Sequence, residues 1–159
     1  MGRMYPAAHS RFMQLPIDAR LTVFHDILYF FEYIVSQNYV AIDFYDGSIM
    51  YDFENDKTTI CDIDSFRKQP CINDMGRMWG SSLFQSPEEY QIGAAIDEIT
   101  NVYTLGATAF ALFGEYNRTR DKWQLSDKLF EIATRAVSDD RIDRQQSIRQ
   151  LIEEWEVAL

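Results

Sequence analysis

Apolar residues recur along this chain mostly at helical spacing, interrupted once by a short alternating stretch. Leu21, Phe24, Ile27, Leu28, Phe31, Ile34 and Val35 return every three or four positions and predict a long helix opening at Pro16. Val23, Phe30 and Tyr33 widen its stripe, so this helix is expected at the buried centre of the fold. His25 lies between its apolar positions and is expected to be a packed structural residue, because no second His or Cys stands at metal-ligand spacing. Upstream, residues 1–15 read as a loop followed by a short helix near 10–14.

A second helix is predicted over 97–113, with Val102, Leu105, Ala109 and Leu112 on one face and an end near Gly114. Two amphipathic helices follow. One spans 126–136, with Leu129, Ile132, Ala133 and Ala136 inward; the other spans 147–156, with Ile148, Leu151, Ile152 and Trp155 inward. Residues 67–82, carrying Pro70, Gly76 and Gly80 without a sustained period, read as a loop, and 115–125 as a short polar connection. The fold class is therefore mainly α with a small β-hairpin, in a single domain over 1–159.

The alternating stretch supplies the candidate chemistry. The segments SIMYDF and TTICDI flank Glu54-Asn55-Asp56-Lys57, the pattern of a hairpin with a four-residue loop. Asp43 precedes the hairpin, and Asp62 and Asp64 follow it. Pairing of the two strands brings Asp43 and Asp62, nineteen positions apart, to one end of the hairpin. Converging carboxylates suit Mg²⁺, which takes hard oxygen ligands and fills its shell with water and phosphate oxygens.

Composition narrows the function classes. At 159 residues and 47% hydrophobic, the chain is long enough to bury a core. A formal net charge of −10 repels polyanions, so no nucleic-acid partner is expected. No apolar run approaches the roughly 20 residues of a membrane span. Cys61 and Cys71 are too few for a disulfide framework, and no leader-like segment opens the chain, so free thiols and a cytoplasmic location are expected. Cys61 reads as a buried small hydrophobe rather than a nucleophile.

A series of motifs, in order, resembles the C-terminal lobe of the protein kinase family. Ala41-Ile42-Asp43 followed by Ser48 is similar to the catalytic loop H-R-D-x-x-x-x-N, and Asp62-Ile63-Asp64 to D-F-G. Gly80-Ser81-Ser82-Leu83-Phe84-Gln85-Ser86-Pro87-Glu88 resembles the G-T-x-x-Y-x-A-P-E end of the activation segment. The helix at 97–113 resembles S-D-V-Y-S-L-G-V, and Asp140-Arg141-Ile142-Asp143-Arg144 resembles D-P-x-x-R. The resemblance implies a catalytic loop at 41–48, a metal-binding triplet at 62–64, an activation segment at 62–88 and a helical subdomain at 97–159.

By the same resemblance Asp43 is the catalytic base, Asp62 the main metal ligand and Ser48 a weakened one, with Asp64 and Asp46 as accessory carboxylates. Asn101 takes the place of the Asp that holds the catalytic loop, and Glu88 pairs with Arg144. Ser81, Phe84 and Pro87 form a substrate platform. ATP and Mg²⁺ are the implied cofactors, with Ser/Thr protein phosphotransfer as the implied reaction. The departures are the missing His and Arg, Tyr45 where protein kinases carry Lys, and Ser48 for Asn. No Gly-rich phosphate loop or upper-lobe Lys is found, so the chain is expected to act as a lower lobe, incomplete or weakly active alone. Its partners are expected to be a protein substrate and an upper-lobe domain, or a second copy docked on an exposed apolar face near Asp43 and Asp62. A pseudokinase scaffold is the alternative. A small-molecule phosphotransferase similar to the aminoglycoside and choline kinases is the second, drawn from Gly47 and Asp64.

Overall fold

Side-chain caps set where most of the helices begin. Asp97, Ser126 and Ser147 each accept a bond from a main-chain N–H in the first turn, of Ile99, Leu129 and Gln150 respectively. The computed structural model describes residues 6–159. Its helices are α1 (Pro6–Met13), α2 (Ile17–Ser36), α3 (Glu98–Phe113), α4 (Asp127–Ala136) and α5 (Ile148–Ala158). Pro16 stands just outside α2 as its cap, at φ −52° and ψ 149°, so the helix begins one position after the expected start. Helix α1 begins before residue 10, where the sequence pattern predicts a loop; residues 1–5 of that loop lie outside the described residues.

The centre of the fold is α3 rather than α2. Every residue of α3 from Thr100 to Phe113 is buried. Small residues allow this: a β-carbon on Gly106 would come within 2.7 Å of Ala136 Cβ and 2.9 Å of Val137 Cγ1, so α4 lies almost against the α3 backbone. Helix α2 is amphipathic instead, with Phe24, Ile27, Leu28 and Phe31 inside and His25, Tyr29 and Tyr33 exposed. His25 thus lies at the surface, its ring against Tyr29, and not in the core as the pattern suggests. Leu129, Ile132, Ala133 and Ala136 of α4, and Ile148, Leu151, Ile152 and Trp155 of α5, are the buried faces of their helices. Burying each large apolar side chain contributes about 1.5–3 kcal/mol.

Three two-stranded antiparallel ladders complete the structure. Strands β2 (Ile49–Asp52) and β3 (Lys57–Ile60) form the expected hairpin, with Asp52 opposite Lys57 and the turn one residue earlier than predicted. Asp52 fixes that turn by accepting from the N–H groups of Glu54 and Asn55. Strand β1 (Tyr39–Val40) pairs with β4 (Arg67–Lys68), and β5 (Cys71–Ile72) with β6 (Ala95–Ile96). Part of the segment expected as a loop is therefore strand. Two-residue strands leave no periodicity to detect. Cys61 and Cys71 are free thiols. Among the described residues no helix is long and apolar enough to cross a membrane.

Candidate active site

Asn101 of α3 fixes the start of the loop at 41–48. Its buried side chain accepts from Ala41 N–H at 2.8 Å and donates to Ala41 C=O at 2.8 Å. A carboxylate at this position could only accept, whereas the amide satisfies both polar groups of one peptide residue. Ile42 and Phe44 are buried on either side of Asp43, Phe44 edge-on to Phe31 with ring centroids 4.8 Å apart. Asp43 itself is half-buried on left-handed backbone at φ 62°.

Asp62 follows β3, also left-handed at φ 56° and ψ 46°, and is exposed. Ile49 opposite Ile60 closes the hairpin's open end, which places Asp62 beside the loop that carries Asp43. Burial, and then the negative charge of Asp62, push the Asp43 carboxyl above its ordinary pKa. Neither carboxylate has a cationic partner among the described residues. Gly80 runs past the pair: a β-carbon there would lie 3.5 Å from both Asp43 Cα and Asp43 Oδ1. The Tyr45 ring covers Gly47 so closely that a β-carbon would meet Tyr45 Cε2 at 2.2 Å. Burial and the charges of Asp43, Asp62 and Asp46 raise the Tyr45 phenol pKa, keeping it protonated.

The other candidate ligands are engaged elsewhere. Ser48 is fully buried, and its hydroxyl accepts from Tyr45 N–H at 3.4 Å, closing the turn Asp46–Ser48. Its carbonyl accepts from Cys61 N–H at 2.9 Å. Asp46 accepts from the Tyr116 hydroxyl at 2.6 Å, and that hydroxyl lies 2.9 Å from His9 Nε2. Asp64 is exposed in the short turn Ile63–Ser65. Cys61 is half-buried, and burial and Asp62 raise its thiol pKa, which suppresses the thiolate. Among the described residues no group of three or more His, Cys, Asp or Glu side chains is arranged to hold a metal. The pair Asp43 and Asp62 still fits Mg²⁺, which is commonly held by one or two carboxylates with substrate phosphates and water. Ile63 beside Asp62 and Trp79 beside Gly80 are 52% and 65% exposed, an apolar margin to the pair.

The segment 62–88 ends in a buried charge cluster. Arg144 Nη1 and Nη2 donate to Glu88 Oε1 and Oε2 at 2.7 and 3.0 Å, with side-chain exposures of 0% for Arg144 and 5% for Glu88. Arg141 adds a bond to Glu88 Oε1 at 2.7 Å and reaches both Asp97 oxygens at 2.7 and 2.8 Å. Burial raises the Glu88 pKa, but the Arg144 bond and charge outweigh it, and the net direction is down. Ser81 is half-buried, its carbonyl accepting from Phe84 N–H. Pro87 opens the turn Pro87–Tyr90. Phe84 departs from its expected place: it is 2% exposed and packed in the main core near Tyr116, so its ring belongs to the interior rather than to a substrate-facing surface. Leu83 is the exposed neighbour.

Sequence reasoning missed Arg141, Tyr116 and His9. Their partners lie 44–53, 70 and 107 positions away, and only Arg141, inside the motif at 140–144, had a local signal.

No family model matches the chain, and no curated protein matches it in sequence. Among solved structures the chain is similar to the kinase of Cydia pomonella granulovirus, with a TM-score of 0.66 at 16% identity over 86% of this chain. The match covers 57% of that kinase, so the chain spans less than two thirds of its length. A likeness at this identity shows a shared, kinase-like fold for the part covered.

Proposed function

We propose that the chain is the lower lobe of an ATP- and Mg²⁺-dependent Ser/Thr protein phosphotransferase, acting in the cytoplasm and needing an upper lobe, in the same chain or from a partner, for full rate. The observation that carries this reading is the meeting of Asp43 and Asp62 at the open end of the hairpin, both on left-handed backbone and without a counter-charge. Asp43 takes the proton of the acceptor hydroxyl; its raised pKa makes it a better base than an ordinary Asp. Asp62 holds the metal. Bound Mg²⁺ supplies charge neutralisation at the phosphates, the main requirement of phosphoryl transfer. Ser48 is fully buried in its own turn, so water and phosphate oxygens would complete the shell. Asp64 and Asp46 remain accessory. The exposed Ile63 and Trp79 are where an upper lobe, or a second copy, would dock. The Glu88–Arg144 pair supports a protein acceptor over a small molecule.

A binding scaffold is the second reading, favoured by the engagement of the Ser48 hydroxyl within its own turn. Thermal melting with and without Mg²⁺ and ATP separates the two. A ligand at a hundred times its dissociation constant stabilises by about 2.7 kcal/mol, which raises the midpoint by roughly 2–4 °C per kcal/mol for a domain of this size. The proposed function requires a metal-dependent rise of that order that disappears in Asp62→Ala, and phosphate incorporation that disappears in Asp43→Ala. A flat midpoint up to millimolar Mg²⁺ and ATP leaves the scaffold.

A further inference from the structure

A groove of about 320 Å³ lies between the activation segment, α3 and the loop that follows α3. Ser82, Leu83, Tyr103, Ala107, Phe110 and Arg118 are among its walls. Its one cation is held in place by neutral groups. Arg118 Nη1 donates to the Tyr103 hydroxyl at 2.9 Å and Nη2 to the Leu83 carbonyl at 3.2 Å. Two of the five guanidinium N–H groups are thereby used. No carboxylate of the described residues forms an ion pair with Arg118. With 25 Asp and Glu against 15 Lys and Arg, this is not for want of carboxylates.

The groove is rigidly built. Two guanidinium groups approach the Tyr103 ring, Arg118 at 5.1 Å and Arg144 at 5.0 Å from its centroid. The loop that delivers Arg118 passes through two successive left-handed residues, Glu115 at φ 51° and Tyr116 at φ 65°. Such backbone is uphill for side-chain-bearing residues and persists only where the surroundings fix it. Here the Tyr116 hydroxyl, bonded to Asp46, ties that loop to the catalytic loop. The groove is also close to the candidate base. A β-carbon on Gly80 would lie 3.5 Å from Asp43 Cα, and Ser82 in the groove wall is two residues further on, so at about 3.3–3.6 Å per residue the groove begins within about 12 Å of Asp43.

We infer that this groove is a subsite for an acidic side chain, Asp or Glu, of the acceptor peptide, paired with Arg118 and lying within about three residues of the modified Ser or Thr. The apolar walls, Ala107 and Phe110, take the methylene stem, and the free N–H groups of Arg118 take the carboxylate. The identity of the occupant as acceptor rests on the proposed function; the charge preference does not.

The test is fluorescence anisotropy on the full chain with labelled Ser peptides carrying Glu three positions before or after the Ser, against the same peptides with Gln. Wild type is expected to bind a Glu peptide about fivefold tighter than its Gln counterpart, the reach of one partly exposed ion pair. The preference is expected to vanish in Arg118→Gln, persist in Arg118→Lys and be unchanged in Asp43→Asn. Failure of phosphate transfer with the preference intact would remove the proposed reaction and leave the subsite standing. Equal binding of the Glu and Gln peptides, no binding of either at millimolar concentration, or a preference that survives Arg118→Gln overturns the inference. So does phosphate found on Ser82 by mass spectrometry that accounts for the Arg118 contact and abolishes the preference. Melting curves check that Arg118→Gln, a surface change, leaves the fold intact.

Discussion

Two acidic corners of this protein are built on opposite plans. Glu88 is buried and fully met: Arg144 takes both its oxygens, and Arg141 and the Thr100 hydroxyl add bonds to one of them. Asp43 is half-buried beside a second carboxylate and has no cation. Their pKa values move accordingly, Glu88 downward and Asp43 upward. A buried charge that is paired belongs to the architecture. A carboxylate whose pKa is raised beside a like charge is the kind of group that clusters at functional sites, which is why the proposed function is placed there.

The largest effect expected from breaking this contrast is at Arg144. Arg144→Met leaves Glu88 buried without its main partner and should destabilise by about 3–5 kcal/mol in urea unfolding. The double change Glu88→Met with Arg144→Met should recover most of that, because a buried pair is replaced by apolar side chains of similar size. A smaller effect is expected at Glu89. Burial, opposed only in part by bonds from the Ser86 N–H and hydroxyl, pushes its carboxyl up to about 7. The folded state then keeps a proton that the unfolded chain releases, so stability falls as pH rises from the ordinary value of 4.5 to about 7. Glu89→Gln should flatten that fall by roughly 1–3 kcal/mol, read from melting midpoints at pH 5 and pH 8. The smallest effect is at Asp62. Asp62→Asn removes the repulsion, so the midpoint should hold or rise slightly, and the Asp43 carboxyl should titrate lower by NMR. A loss of stability as large as that of Arg144→Met would erase the distinction between the two corners.

The parts of the fold readable from sequence were those with local signals. The span of α3, the spans and buried faces of α4 and α5, and the hairpin to within one residue, follow from spacing. The burial of α3 on every side did not show in its apolar spacing, because it depends on Gly106 letting α4 approach, and small residues look unremarkable in a hydrophobic pattern. The ladders of β1 with β4 and β5 with β6 are two residues long and set by pairing between distant segments. Within the site, Asp43 and Asp62 could be paired on paper because one hairpin joins them. That Ser48 closes its own turn, that Asp46 meets Tyr116 and that Phe84 faces inward depend on packing that no motif records.

Asn101 also has a consequence for how this sequence can change over time. Its amide answers both the N–H and the C=O of Ala41, and each of those groups is inside the protein. Asn101→Asp would keep the accepting half and leave the Ala41 carbonyl without its donor. The loop bearing Asp43 has thus settled around an amide. An Asp at this position would be accommodated only if the neighbouring backbone moved as well.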